Sequence, residues 1–354
     1  MAYSSIDNPE LYFQTKLYTG NGNDNHAITL DGSENMQPDW VWLKNRGSTH
    51  HHRIFDSVRG VTKYLSSSGT GTEVTDATSL KSFDSDGFTL GTNGAINSNT
   101  DTMASWNWKA GGSASSNSDG TGITSSVSAN TTAGFSIVSY TGSGTTSNTV
   151  GHGLSSIDWL IVKSRDEADS WFVKHKSLSS NHNLNLNQTV AQTNVTSAYS
   201  EGGLSNLSGN TFGFLDGTSD ANAVNESGEK HIAYCFKEVK GYSKFGSYIG
   251  NEVTNGAFVY TGFRVGWVMI KRATDGTGSW AIFDNKRNTF NLVDKRLYAN
   301  ASDAEGTLAI DFLSNGFKIR TADGNINSNT STHIFMAFAE APFVNSKGVP
   351  CNAR

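Results

Sequence analysis

The sequence is poor in cysteine, proline and charge. Its 354 residues include 2 cysteines, Cys235 and Cys351, and 4 prolines. Two cysteines are too few for a disulfide scaffold or a zinc site. Charged residues make up 17% of the chain, below the value of about 25% in typical globular proteins. The net charge of -5 argues against nucleic acid as a partner, because such binding depends on clustered Lys and Arg.

Long apolar runs and a leader sequence are also missing. No run approaches the ~18 residues of a membrane span, so we expect no membrane insertion. Residues 1–14 show no basic stretch followed by an apolar one, so we expect no secretory signal. Aromatic residues, by contrast, reach 11%, which is too many for a disordered chain.

Three segments of the chain share one pattern with a period of about 110 residues, far longer than the ~20–50 residues of solenoid repeats. Each segment has a strand with a tyrosine near its end, followed by an apolar strand that runs from a tryptophan to a lysine. The matching residues are Tyr18, Tyr140 and Tyr248, then Trp40, Trp159 and Trp267, then Lys44, Lys163 and Lys271.

Short β-branched or aromatic segments bounded by Gly, Asn, Asp and Ser predict strands throughout. We therefore predict an all-β fold of three tandem antiparallel β-sandwich domains. The predicted organisation is an N-terminal arm (1–12), repeat 1 (13–112), a flexible Gly/Ser/Thr linker (113–134), repeat 2 (135–239), repeat 3 (240–342) and a C-terminal tail (343–354).

The tryptophan strands are apolar on both faces. In repeat 3, Trp267 and Met269 lie on one face, and Val268 and Ile270 lie on the other. One face should meet the opposite sheet of a sandwich. The other face could pack against a neighbouring domain or chain, or form a ligand platform, and packing is the favoured reading because large aromatic residues mostly lie in cores.

Several stretches of the sequence resemble those of a known family. The opening IDNPELYFQTKLYTGNG, the phrase MQPDWVWLK, the stretch FDSDGFTLG…INSNT…WNWKAGG and the ending IDFLSNGFKIRTADGNINSNT…MAFAEAPFVNSKGVP resemble a recurrent family of tailed-phage genomes, especially marine and cyanobacterial phages. The resemblance covers nearly the whole chain. It implies β-sandwich domains of the concanavalin A-like (lectin/glucanase-type) or jelly-roll kind and a structural, tail-fibre-like particle protein, and it supplies no site motif.

Catalytic patterns are missing from the sequence. A glucanase needs two carboxylates that flank the sugar bond, whereas Glu201, Glu226, Glu229 and Glu238 are scattered. We therefore expect a protein that is not an enzyme. The recurrent strand-end lysines indicate a structural role, such as an ion pair with an aspartate. Cys235 is expected to be a buried free thiol.

Metal ligands are equally unconvincing. His50, His51 and His52 are contiguous, and only His50 and His52 could share a strand face for a metal. A solvated loop is the better interpretation. Acidic loops at residues 31–34 and 84–86 could hold calcium, and they equally fit ordinary β-turns. We expect no cofactor, with calcium as the one candidate.

Three functions compete at this stage. The first is a non-enzymatic protein of the virion surface, either a tail-fibre-like adhesin or a head decoration protein that binds host-surface glycans. The second is a structural cement or spacer without glycan binding, and the third, weakest, is a polysaccharide-degrading enzyme. We expect assembly in the host cytoplasm, other virion proteins as partners and a homo-oligomer. The N-terminal arm, repeat 3 and the tail are the expected attachment points, because their apolar residues exceed what one sandwich can bury.

Overall fold

The computed structural model describes residues 4–196, 203–205, 207, 209–215 and 223–352. The protein is all-β, with 45% of its residues in strands and 3% in helices. The helices are a single 3-10 turn, Pro9–Leu11, and two four-residue helices, α1 (Gly94–Asn97) and α2 (Gly324–Asn327). The strands pair antiparallel within their sheets.

The strands of repeat 1 are β1 (Phe13–Thr19), β2 (His26–Ile28), β3 (Trp40–Asn45), β4 (Arg53–Asp56), β5 (Lys63–Tyr64), β6 (Val74–Thr75), β7 (Leu80–Asp84), β8 (Gly87–Leu90) and β9 (Thr102–Trp108). The segment 113–134 carries β10 (Ser115–Asn117) and β11 (Ser125–Asn130). Repeat 2 contains β12 (Phe135–Thr141), β13 (Thr149–Gly151), β14 (Trp159–Ser164), β15 (Phe172–His175), β16 (His182–Asn185), β17 (Thr193–Asn194), β18 (Gly203–Ser205), β19 (Thr211–Leu215) and β20 (Lys230–Phe236). Repeat 3 contains β21 (Ser243–Ile249), β22 (Phe258–Tyr260), β23 (Phe263–Arg272), β24 (Ala281–Asp284), β25 (Val293–Tyr298), β26 (Gly306–Leu313), β27 (Gly316–Ile319) and β28 (Thr332–Pro342).

The three repeats use the same strand order. Repeat 1 has the order β1-β9-β3-β4, repeat 2 contains β12-β20-β14-β15, and repeat 3 contains β21-β28-β23-β24. The register agrees as well: Trp40 lies opposite Trp108, Trp159 opposite Phe236, and Trp267 opposite Phe338. The three tryptophans therefore occupy equivalent places, each on a strand between two neighbours.

Each tryptophan strand is buried on both of its faces, as its sequence predicts. The face that carries Val41 and Leu43 packs with residues of β2, β7 and β8 in an apolar cluster that belongs to repeat 1 alone. Repeats 2 and 3 have corresponding clusters. We call these three the outer clusters, since each lies within a single repeat or its adjoining strands.

The opposite faces of the three sheets meet in one common cluster, which we call the shared core. It contains all 8 tryptophans of the chain, namely Trp40, Trp42, Trp106, Trp108, Trp159, Trp171, Trp267 and Trp280. The three repeats therefore share one apolar core, which agrees with packing of the tryptophan faces against neighbouring repeats. The second apolar face of β23, which we expected to be an attachment surface, is covered by the other repeats of the same chain.

The segment 113–134, expected to be a flexible linker, instead contains two paired strands. Strand β10 pairs with β11, and β11 pairs with β12 at the edge of the repeat 2 sheet. Ile123 and Val127 belong to the outer cluster of repeat 2. These two apolar anchors, together with the hydrogen-bonding edge of β12, order a segment whose Gly/Ser/Thr composition is typical of linkers.

Both terminal segments lie against the body of the same chain. In the arm, Ser4 and Ile6 are buried, and Ile6 belongs to the shared core. In the tail, Val344 pairs with Pro350, and Ser346 donates hydrogen bonds to Asp7 of the arm. The expectation of unburied apolar extensions is therefore wrong for Ile6. Tyr3 lies outside the described residues.

Candidate functional site

The three tyrosines that the repeat pattern aligns make one and the same contact. Their hydroxyl groups donate to the backbone carbonyl of Ile96 at 2.7 Å, of Val224 at 2.5 Å and of Ile326 at 2.6 Å. Each acceptor precedes a fully buried asparagine, Asn97, Asn225 or Asn327. Burial raises the pKa of all three phenol groups. These tyrosines anchor a turn in each repeat and are not arranged around a ligand site.

The three aligned tryptophans are also structural. Trp40, Trp159 and Trp267 have at most 1% of their surface exposed, and each ring contacts a neighbouring repeat. Trp40 lies 4.6 Å from the Tyr234 ring, and Trp267 lies 5.5 Å from the Trp108 ring. The packing interpretation of the tryptophan strands is the one that this geometry supports.

The strand-end lysines bind backbone carbonyl groups rather than the aspartate we expected. Lys44 Nζ donates to the carbonyl of Asn45 at 2.7 Å and to that of Ser302, in repeat 3, at 3.0 Å. Lys271 Nζ donates to the carbonyl of Thr189, in repeat 2, at 2.8 Å. Burial lowers the pKa of Lys44 to about 8 and that of Lys271 to about 7. Lys44 and Lys271 therefore tie their strand ends to a loop of another repeat, whereas Lys163 Nζ donates within its own repeat, to the carbonyl of Ser164 at 2.7 Å and to that of Glu167 at 2.9 Å.

A backbone hydrogen bond recurs at all three interfaces. In each case a backbone amide donates to a backbone carbonyl of another repeat at 2.8 Å. The three donor–acceptor pairs are Glu73 and Arg165, Gln192 and Ala273, and Glu305 and Arg46. Repeat 2 thus contacts repeat 1, repeat 3 contacts repeat 2, and repeat 1 contacts repeat 3. The three repeats close into a ring with the same type of joint between each pair, which is how rotational symmetry closes an assembly of subunits.

Two of the joints contain a buried ion pair. Arg59 Nε lies 2.5 Å from Asp56 Oδ2, and the Tyr234 hydroxyl of repeat 2 donates to the same oxygen at 2.8 Å. In repeat 3, Arg287 Nε lies 2.6 Å from Asp284 Oδ2, which also accepts from the Trp106 indole of repeat 1 at 3.0 Å. Each carboxylate is therefore hydrogen bonded within its repeat and across a joint.

The histidine triplet does not form a metal site in the described structure. His50 and His51 are exposed, as the loop interpretation predicts. His52 is fully buried: its Nδ1 accepts from the Trp42 indole at 2.8 Å, and its Nε2 lies 3.0 Å from the carbonyl of Tyr298 in repeat 3. Burial lowers the pKa of His52 well below its usual value, so the ring is neutral at these two contacts.

The carboxylates singled out as candidate ligands or catalysts are bound to protein groups. Asp84 accepts from Ser82 at 2.6 Å, and Asp86 accepts from the Met36 amide at 3.2 Å. Asp31 pairs with Lys16 at 3.3 Å. Glu229 accepts from Ser164 at 3.2 Å. Among the described residues, no group of three His, Cys, Asp or Glu side chains is placed to hold a metal ion. Glu201 lies outside the described residues.

The two cysteines sit in different surroundings. Cys235 is fully buried in the outer cluster of repeat 2, and burial raises the pKa of its thiol. Cys351 is half-buried in the tail, where its Sγ donates to the carbonyl of Ser314 at 3.3 Å. Cys235 therefore acts as a small core residue.

A cavity lies where repeat 2 passes into repeat 3. Its volume is about 190 Å³, and its walls come from three parts of the chain. The lining residues are Glu238, Lys240, Gly241, Ser243 and Lys244 at the junction, Tyr260, Thr261 and Gly262 after β22, and Phe343 and Val344 in the tail. The cavity therefore combines two aromatic rings with three charged side chains, and we call it the Tyr260 cavity.

Tyr260 is a candidate that the repeat pattern alone did not single out. Val259 pairs with Phe317 in the same way that Ile28 pairs with Phe88 and Val150 with Phe212. In repeats 1 and 2 the place of Tyr260 is therefore taken by Thr29 and Gly151, and neither residue carries an aromatic ring. Tyr260 is 58% exposed. The sequence feature that distinguishes Tyr260 is an aromatic residue at a position where the other two repeats have smaller residues.

No helix among the described residues is long and apolar enough to cross a membrane. Comparison with curated proteins and with solved structures finds no match. A family model described as a domain of unknown function, DUF7483, matches residues 8–342. This match spans all three repeats and most of the chain, and the protein therefore belongs to the DUF7483 family.

Proposed function

We propose that this chain is a non-enzymatic structural protein on the surface of a virus particle, either a tail-fibre-like adhesin or a head decoration protein, and that it binds host-surface glycans. The proposal includes assembly in the host cytoplasm, other virion proteins as partners and a homo-oligomeric state. It also includes three concanavalin A-like sandwiches, each built around one outer cluster.

The observation that carries this proposal is where the buried polar side chains bind. Lys44 and Lys271 bind carbonyl groups of another repeat, and Asp56 and Asp284 accept hydrogen bonds from another repeat. Buried ionisable groups in enzymes are typically gathered in a cleft, where their shifted pKa values serve catalysis. In this protein the buried ionisable groups instead connect the three repeats to one another, which suits a structural component of a particle. The resemblance to tailed-phage proteins supports the same function.

The test is to locate the protein in a particle. Mass spectrometry of purified particles whose genome carries this sequence should detect the chain, and a particle reconstruction should show its density at the head or the tail. Absence of the chain from purified particles would overturn the proposal. Light scattering on the purified protein checks the oligomeric state separately.

A second function, that of a cement or spacer without glycan binding, is favoured by the exposed apolar side chains of repeat 3. Phe290 is 76% exposed and Leu292 is 49% exposed, and exposed apolar patches often mark protein interfaces. A glycan array probed with the purified chain separates the two functions, because a cement protein would bind no glycan. A reducing-sugar assay on the bound glycans tests the third candidate, polysaccharide cleavage.

A further inference from the structure

We infer that the edge of β21 and the Tyr260 cavity beside it form a docking groove for an extended strand of another protein. The strand we assign to this groove is uncharged, with small apolar side chains at alternate positions and polar side chains between them. This inference rests on the proposed partnership with other particle proteins and gives that partnership a site. It is argued from what lies at the equivalent place in the other two repeats.

Repeat 2 shows which kind of strand this edge accepts. Strand β11 pairs antiparallel with β12, and Ser126 lies opposite Ser139 in this ladder. The side chains of Val127 and Ala129 face the turn that follows β13, because a Cβ atom at Gly153 would lie 2.9 Å from both of them. Strand β11 therefore lies between β12 and this turn.

Repeat 3 has the same edge without such a strand. Tyr248 corresponds to Tyr140, so Ser247 takes the place of Ser139. In the part of the chain that the structure describes, β21 pairs with β28 alone. Ser247 is exposed, and Ile249 is 55% exposed. The edge that accepts β11 in repeat 2 is therefore open in repeat 3.

The open edge of β21 presents backbone hydrogen-bonding groups. The Gly250 amide donates to the carbonyl of Ser331, which directly precedes β28, at 3.0 Å. Because residues that point toward and away from the partner alternate in an antiparallel ladder, Ser247 and Ile249 direct their N–H and C=O groups away from β28. The Phe245 amide, which points the same way, lies 3.5 Å from the Glu238 carboxylate. Pairing of another strand should therefore begin at Ser247 and Ile249, since unpaired edge groups are a template for a further strand.

The Tyr260 cavity lies where the small side chains of β11 lie in repeat 2. The turn after β22 matches the turn after β13, so Gly262 corresponds to Gly153, and their φ values are 85° and 73°. Ala129 lies opposite Ser136 on β12, and Lys244 takes the place of Ser136 on β21. Both Lys244 and Gly262 line the cavity. A strand in the position of β11 would therefore place a small side chain in this cavity, whose volume is about 190 Å³.

Repeat 1 covers the same place with its own loop. Gln14 corresponds to Lys244, and its side chain accepts from the Gly32 amide at 2.9 Å and donates to the carbonyl of Glu34 at 3.0 Å. The loop that follows β2 therefore lies over this end of β1. Polypeptide of the same chain thus occupies the place in repeats 1 and 2, and an extended polypeptide is the occupant that we assign to repeat 3.

The charges around the groove favour an uncharged strand. The Glu238 carboxylate is already paired, with its oxygens 2.8 Å from Lys176 Nζ and 2.6 Å from Lys244 Nζ. Residues 121–131, which include β11, carry no charged side chain. Main-chain pairing gives affinity in this mode of recognition, and pockets for alternate side chains give specificity.

The experiment measures fluorescence anisotropy of a labelled peptide of residues 121–131, TGITSSVSANT, with the purified full chain. We expect saturable binding that Ser247→Pro weakens by about tenfold, the effect of one lost backbone hydrogen bond. Proline removes the outward N–H group of an edge strand and leaves the ladder with β28 in place. The control Thr19→Pro, at the edge of β1, should leave binding within about twofold.

Methylated peptides test the same pairing on the unaltered chain. Methylation of the Ser126 backbone nitrogen, which faces β12 in repeat 2, should weaken binding by about tenfold. Methylation of the Val127 nitrogen, which faces the opposite edge, should leave binding within about twofold. A peptide with Ala129→Trp should also bind about tenfold more weakly, because the cavity admits only a small side chain.

Absence of binding by the unmodified peptide would overturn the assigned strand, and an equal loss with the two methylated peptides would overturn main-chain pairing. Equal binding by the wild type and Ser247→Pro would overturn the site. Light scattering tests a second copy of the chain as the occupant: a wild-type dimer that Ser247→Pro converts to a monomer would overturn the assignment to another protein. Thermal melts show whether Ser247→Pro folds, and the methylated peptides do not depend on that variant. None of these results bears on the presence of the chain in particles, so failure here and failure of the proposed function are distinguishable.

Discussion

Replacing Trp267 by alanine tests whether the three repeats are stabilised as one body. The side chain is fully buried, and its ring contacts Phe13, Trp106 and Trp108 of repeat 1 at centroid distances of 6.3, 6.3 and 5.5 Å. Removing a buried tryptophan typically lowers the free energy of unfolding by about 3–5 kcal/mol. Because these three partners belong to repeat 1, the lower stability should affect the whole chain and not repeat 3 alone.

The assay follows urea unfolding of the wild type and the variant with two probes. Tryptophan fluorescence reports on the shared core alone, since all 8 tryptophans lie there, whereas far-UV circular dichroism reports on the strands of every repeat. We expect the two transitions to coincide and to shift together in Trp267→Ala. The neighbouring control, Val268→Ala, faces the outer cluster of repeat 3 and should cost roughly 2 kcal/mol. Separate fluorescence and dichroism transitions in the wild type, or a variant that unfolds one repeat only, would refute the reasoning.

Three further substitutions test other parts of the assembly. Asp56→Asn leaves buried Arg59 with only its longer ion pair to Glu73, 3.4 Å from Nη1, so the free energy of unfolding in urea should fall by about 3 kcal/mol, and a loss below about 1 kcal/mol would contradict the assigned pair. His333 has a pKa lowered by burial to about 4, so the unfolded chain binds its proton more readily, and stability should be lost as pH falls from about 6.5 to 4. This contribution is roughly 3 kcal/mol. His333→Met, which copies Met103 at the equivalent place in repeat 1, should reduce the acid sensitivity of the thermal melt, and an unchanged pH profile would contradict it. Ile6→Ala should lower the free energy of unfolding by about 2 kcal/mol, whereas an arm that only tethers the protein to a particle would melt unchanged.

The repeat and the two-faced strands could be predicted because they depend on local pattern. A strand such as β3, with Val41 and Leu43 on one face and Trp40 and Trp42 on the other, requires burial on both sides wherever it lies. The lysine at the end of each tryptophan strand recurs in three copies, which correctly indicated a structural role for Lys44 and Lys271. In both cases the need, for burial on two faces or for a structural contact, can be read from the residue types in the strand itself.

The partners of those residues could not be predicted in the same way. Lys44 and Lys271 bind backbone carbonyl groups, and every residue has one, so no side chain in the sequence marks Ser302 or Thr189 as an acceptor. The ordering of 113–134 depends on an available sheet edge at β12, which composition does not record. The two-faced strands indicated packing against a neighbouring domain or chain, but the sequence did not identify the partner residues, because they lie in another repeat.

Comparison between the three copies shows which residues the fold requires at each place. At the buried turns, Asn97, Asn225 and Asn327 are identical and accept the same backbone hydrogen bond. At the ion pairs the copies differ at both positions. His175 replaces the aspartate of the other repeats. Met336, which has no hydrogen-bond donor, stands in repeat 3 where repeats 1 and 2 have the donors Trp106 and Tyr234. At exposed places such as Tyr260 the copies also differ, but a change there needs no compensation in the fold, so the buried differences are the ones that carry information about the assembly.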